Sequence, residues 1–214
     1  MGRIGIICAM KKEYDLLTRE FSPEEEVFCS LSGIGKVNAA AAAQKLVCEV
    51  KPDCILSIGV AGTFVKGLEE GTPVIVTRSA YHDVWCGGEC GAGQVPGCPL
   101  FFESDPELLR VASESIPEAV KGLLCTGDQF YVSREEDRRQ KELFPDAVAV
   151  DMEGAAVAQV AYMNSIPFLA VKIISDNHTD GRQAERYTNF WNEMAEKSFT
   201  SLRKILYNLQ KQNR

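Results

Sequence analysis

Residues 149–156 read AVDMEGAA, so two carboxylates, Asp151 and Glu153, stand one residue apart where one apolar run gives way to another. Two further acids hold comparable places. Glu13 follows the apolar run RIGIIC (3–8), and Asp176 closes PFLAVKIISD (167–176). An ionised carboxylate inside a protein is costly unless a partner meets it. Local structure offers each acid an ordinary role. Asp151 suits the N-cap of the helix that follows, accepting a backbone N–H. Glu153 then falls in the first turn, where the helix dipole favours an acid by about 0.3–1 kcal/mol. Glu13 could reach the surface at a helix start, and Asp176 could serve as a loop or cap residue. Three acids at strand ends of one rim raise one another's charging cost unless a polar ligand lies between them. The chemistry open to Glu13, Glu153 and Asp176 is capture of a polar ligand with proton transfer.

The elements that would position them alternate. The pattern predicts strands near 3–8, 27–32, 54–59, 72–80, 121–126, 147–150 and 167–174. Helices are expected near 10–20, 36–50, 106–115, 136–143, 153–164 and 184–211. This predicts an α/β fold with a single domain over 1–214, in three α/β/α layers around a mixed, largely parallel sheet. Ligands of such folds gather beyond the carboxyl ends of the strands. On the first helix Met10, Tyr14, Leu17 and Phe21 form an apolar stripe, and Glu13 lies on that side, facing inward. The glycine strings SGIGKV (32–37) and GVAG (59–62) match neither a P-loop nor GxGxxG, so they predict tight turns rather than a phosphate site.

The chain has 214 residues, of which 45% are hydrophobic and 25% charged, enough for one sizeable core. Its net charge of -7, with Lys and Arg scattered, argues against a nucleic-acid partner and for a small-molecule one. No apolar run approaches the roughly 18 residues of a membrane span, and the N-terminal MGRIGIICAM meets KKEYD too early for a signal peptide. A cytoplasmic location is expected. Of the eight cysteines, Cys8, Cys54 and Cys125 lie in apolar strands, as reduced core residues do. His82, Cys86, Cys90 and Cys98 are four candidate ligands whose spacing fits no common zinc pattern, so neither a metal nor a cofactor is expected.

The strings GIICAMKKEYDLL, SGIGKVNAAAAAQ, GVAGTF, AYHDV, GQVPGCP, TGDQFYV, VAVDMEGAAVAQVA and VKIISD occur in this order over nearly the whole chain. Together they resemble the nucleoside phosphorylase superfamily, and within it the 5'-methylthioadenosine/S-adenosylhomocysteine nucleosidases. The resemblance implies a nucleoside phosphorylase-like fold, hydrolysis of an adenine nucleoside to adenine and a thioribose, and a place in methionine salvage. It makes Glu13 the general base for the attacking water and Asp176 the acid that binds adenine and protonates N7. Glu153 would bind the ribose hydroxyls beside Met152. Phe130, Tyr131 and Ser175 would hold the base, while Met10, Ile34 and Tyr187 would line the ribose and the 5' tail. Departure of adenine leaves an oxocarbenium-like sugar, so anionic groups there act on charge that develops in the transition state. Asp176 must hold or share a proton to neutralise the leaving adenine.

Phosphorylases of the superfamily need cationic groups for phosphate, whereas CAMKKEYD offers the acid Glu13 after the first strand, which suits water. Two residues depart from the nucleosidase pattern: Val60 stands where Ser is common and Lys172 where Arg is common, and Lys lacks the bidentate fork. A phosphorylase or hydrolase acting on another purine nucleoside, and a non-catalytic nucleoside binder, stay open as alternatives. The segment 83–102 carries five glycines together with Trp85 and the Phe101–Phe102 pair, much apolar surface for a free loop. The resemblance implies a homodimer in which Trp85 or Pro96 reaches the neighbour's pocket; a loop folded onto its own subunit is the alternative.

Overall fold

A computed structural model of the protein describes residues 2–19, 26–88, 90–130, 141–178 and 182–211. In chain order the elements are β1 (Ile4–Cys8), α1 (Lys11–Thr18), β2 (Val27–Leu31), α2 (Lys36–Val50), β3 (Cys54–Thr63) and β4 (Pro73–Tyr81). Then come β5 (Phe102–Glu103), α3 (Pro106–Ser115), β6 (Val120–Thr126), β7 (Ala147–Asp151), α4 (Gly154–Met163) and β8 (Phe168–Asn177). The chain closes with α5 (Gln183–Asn189), a π-helical turn (Phe190–Met194) and α6 (Ala195–Lys211). Of the helix expected at 136–143, residues 141–143 are helical and the rest lies outside the described residues, as does Phe21.

Strands β1, β3 and β8 are buried along almost their whole length because both faces of the sheet are covered there. Alternate residues of one strand feed opposite cores: Leu169, Val171 and Ile173 of β8 join one, while Phe168, Ala170 and Ile174 join the other. Helices α1, α3 and α6 cover the first face through Leu17, Leu108 and Leu202. Helices α2 and α4 cover the second through Ala43 and Val157. On α6 the buried Phe199, Leu202, Ile205, Leu206 and Leu209 recur at helical spacing. Burying each is worth roughly 1.5–3 kcal/mol. These layers are the α/β/α arrangement expected from the sequence.

The sheet is mixed and also closes on itself. Strand β3 runs parallel to β8, β8 antiparallel to β4, and β4 and β6 parallel to β6 and β7 respectively. Strand β7 returns antiparallel to β3 where Val150 faces Gly62. Strands β1 and β2 extend this ring from β3, and β5 lies on β4.

Three expected boundaries change. The string GVAG is the second half of β3, not a turn, because its backbone pairs with β8 throughout. Strand β8 likewise continues through Asp176. The expected helix 184–211 is interrupted by the π turn, whose widened backbone ladder separates α5 from α6.

Candidate active site

A cavity of about 610 Å³, its open mouth included, lies where β1, β3, β7 and β8 end. It is lined by every described residue expected to bind within the subunit: Met10, Glu13, Ile34, Phe130, Met152, Glu153, Ser175, Asp176 and Tyr187. Tyr131 lies outside the described residues. Trp85 and Pro96 are exposed and do not line this chain's cavity. The neighbouring Phe102 is buried against Tyr81, and Phe101 packs edge-on against Phe144. Much of the apolar surface of segment 83–102 thus faces its own subunit; Trp85, 66% exposed, is the exception.

Glu13 is 2% exposed and held by three backbone donors. Its Oε2 accepts from Ala9 N at 3.0 Å and Met10 N at 2.8 Å, and Oε1 from Val60 N at 2.9 Å. The first two place it at the start of α1, where it also satisfies the N-cap amide of Met10. The third requires close approach of β3: a Cβ on Gly59 would meet Glu13 Oε1 at 2.6 Å. Val60 stands where Ser is common in the nucleosidase pattern; its side chain has no hydrogen bond to offer this site, but its main-chain N–H serves Glu13. Burial raises the proton affinity of Glu13, and the nearby Lys172 ammonium and the three amides offset part of that.

Asp151 meets the helix as expected, since Gly154 N donates to it at 2.9 Å, but the N-cap position itself belongs to Glu153. Asp151 does more. Its Oδ2 lies 2.8 Å from Lys172 Nζ, an ion pair with both side chains almost fully buried, and Thr126 Oγ1 donates to its Oδ1 at 2.6 Å. Lys172 also donates to Ser57 Oγ at 3.3 Å. Lys172 therefore spends its hydrogen bonds on the strands beneath the cavity and acts on Glu13 by charge alone.

Glu153, 9% exposed, accepts from Gly35 N at 2.8 Å through Oε1. Gly35 has φ +98°, a conformation that side chains rarely adopt and that turns its N–H toward Glu153. Burial, with the Asp151 charge behind it, pushes the Glu153 carboxyl up to about 7.

Asp176 is 2% exposed, like the rest of β8 buried in the sheet, and stands just past a bulge. Ala61 pairs with Ile174 but Gly62 pairs with Asp176, so Ser175 is the extra residue and the pleat beyond it is re-aimed. Ser175 Oγ donates to Asp176 Oδ1 at 2.6 Å. His178 Nε2 stands 3.1 Å from Oδ2 without the alignment of a hydrogen bond, and Oδ2 keeps its capacity for a ligand. His178, tilted against Phe64 at 4.6 Å between ring centroids, also lines the cavity. Sequence reasoning missed it. One of only two histidines, two residues beyond Asp176, it was there to be found.

The remaining walls are apolar apart from Gln129 and Gln183. Phe130 meets Tyr187 edge-on with centroids 6.2 Å apart, and Tyr187 Oη donates toward Met10 Sδ at 3.4 Å. No lysine or arginine lines the cavity among the described residues. No group of three His, Cys, Asp or Glu side chains is placed to hold a metal ion among them either. The arrangement can seat a flat ring beside Phe130, surround a hydroxyl-bearing moiety with acids, and move protons at both ends.

The model of the phosphorylase superfamily matches residues 3–207. A 5'-methylthioadenosine/S-adenosylhomocysteine nucleosidase of Listeria welshimeri is 40% identical over 200 residues, spanning 81% of this chain and 85% of that one. The crystal structure of the corresponding nucleosidase from Neisseria meningitidis, in complex with methylthio-immucillin-A, superposes with a TM-score of 0.90 at 31% identity, covering 96% of this chain and 99% of that one. A futalosine hydrolase of Helicobacter pylori superposes with a TM-score of 0.88 at 25% identity, covering 96% and 97%. By sequence and by fold, the chain belongs to the phosphorylase superfamily and, within it, to the 5'-methylthioadenosine/S-adenosylhomocysteine nucleosidase family.

Proposed function

We propose that this protein hydrolyses the N-glycosidic bond of 5'-methylthioadenosine and S-adenosylhomocysteine, releasing adenine and the corresponding thioribose. The observation that carries the reading is the convergence of the buried acids Glu13, Glu153 and Asp176 on one cavity that, among the described residues, has no lysine or arginine in its lining. A transferred phosphate would need such a cation, whereas a water needs a base. The names of the relatives agree with this choice.

In the proposed reaction Glu13 takes a proton from water as its oxygen bonds to C1' of the ribose. The C1'–N9 bond breaks with cationic character on the sugar, which Glu153, bound to the ribose hydroxyls, and Glu13 stabilise. Asp176 gives its proton to N7, so that adenine leaves neutral. Met152 packs beside the ribose, Phe130 and Ser175 border the base, and Met10, Ile34 and Tyr187 form the wall for the 5' tail. We further propose a homodimer in the cytoplasm, with Trp85 or Pro96 completing the neighbour's tail pocket; the exposed Trp85 supports the dimer, and eight free cysteines support a reducing compartment.

The fold does not choose the nucleoside by itself, since a futalosine hydrolase shares it. Adenine release from methylthioadenosine, followed with and without phosphate, tests the reading. Equal rates are expected, and dependence on phosphate would overturn it.

A further inference from the structure

The proposed base and ribose sites stand on different loops. Gln129 and Phe130, beyond β6, border the cavity on one side, while Gly35, ahead of α2, holds Glu153 on the other. Outside the cavity three charged residues tie these loops together. Lys36 Nζ donates to both Asp83 oxygens, at 2.8 and 2.7 Å. Asp128 N donates to Asp83 Oδ2 at 2.9 Å, and Lys36 N donates to Asp128 Oδ1 at 2.8 Å. The ammonium also stands 3.9 Å from Asp128 Oδ2 and 5.5 Å from the Tyr81 ring centroid.

We propose that Lys36, Asp83 and Asp128 form a clasp that fixes the spacing between the base-holding and ribose-holding loops, with Asp83 as its positioning residue. The inference rests on the nucleosidase reading of the cavity. None of the three side chains lines the cavity, so the clasp acts through its neighbours. Two members adjoin the site in sequence, through Gly35, which holds Glu153, and through Gln129 and Phe130, which line the cavity, while Asp83 is bonded to both of those members. Lys36 follows Gly35, and Asp128 precedes Gln129 and Phe130. A surface ion pair between flexible side chains contributes little. Here the side chains of Lys36 and Asp83 are only 23% and 15% exposed, and two of the bonds involve main-chain amides. Such charge-assisted bonds fix backbone position as well as charge.

The test uses the full-length protein carrying Asp83→Asn, the more exposed Asp128→Ala, and Lys36→Met alone and combined with Asp83→Asn. With methylthioadenosine, kcat/KM should fall about ten- to hundred-fold in each single variant, with most of the change in KM. The double variant should be little worse than either single one, because both break one unit. Adenine alone should bind more weakly to Asp128→Ala. Loosening the Gly35 N–H should also move the acid limb of the pH–rate profile upward. The other charges that face Glu153, namely Asp151, Lys172 and Glu13, are untouched. Folded variants with lowered Tm but unchanged KM, adenine affinity and acid limb would overturn the clasp alone. A wild-type protein that releases no adenine would overturn the reading of the cavity and the clasp with it.

Discussion

Glu153 supplies the prediction whose size follows most directly from the structure. Its carboxyl, pushed up to about 7 by burial and Asp151, is mostly protonated at pH 6 and mostly ionised at pH 8 in the unliganded protein. Ribose hydroxyls donate to the ionised form, so protonation competes with substrate. The ionised fraction rises about tenfold between these pH values, and kcat/KM should rise with it, Glu13 adding a change of the same sign. The stability of the unliganded protein moves the other way. A folded-state value raised above the ordinary 4.5 means that the native state binds the extra proton, so stability is fully present below about 4.5 and is lost as pH rises through 7. At 1.36 kcal/mol per unit, that loss is at most about 3 kcal/mol. The assay is chemical denaturation of wild type and Glu153→Gln across that window. The wild type should lose stability relative to Glu153→Gln as pH rises. Parallel curves would refute the assignment of the charge penalty to Glu153.

Glu13→Gln should keep nucleoside affinity while turnover falls by about 10²-fold or more, checked by steady-state kinetics beside calorimetric binding of an unreactive analogue. Asp176→Asn should lose turnover with its thermal transition near that of wild type; lost stability with activity kept would make Asp176 a structural residue. Lys172→Met leaves Asp151 charged and unpaired in the interior and should cost about 3–5 kcal/mol in chemical denaturation, with Lys172→Met/Asp151→Asn recovering part of it. Light scattering should give near twice the 23.6 kDa chain mass.

How far the sequence reached depends on whether side chains or main chain do the work. Glu13 was legible because the stripe of Met10 and Leu17 puts it on the inward face of a short helix, and Glu153 and Asp176 because apolar runs end at them. The layered fold followed from the alternation of apolar strand runs with helical stretches. What could not be read is carried by partners distant in sequence or by the backbone. Lys172 resembles a shortened arginine until its strand lies beside β3 and its ammonium meets Asp151. The amides of Ala9, Met10, Gly35 and Val60 have no side-chain signature, and three of the four compensate a carboxylate whose burial the sequence already implied. The placing of Asp176 needs a one-residue slip at Ser175, which depends on the pairing of β3 with β8 and not on the composition of either.

The central claim is that Glu13, in a site of three buried acids, activates water rather than admitting phosphate. Mass spectrometry of the sugar product formed from methylthioadenosine in saturating phosphate tests it most directly. The account predicts free methylthioribose alongside adenine; methylthioribose 1-phosphate as the main product would contradict it.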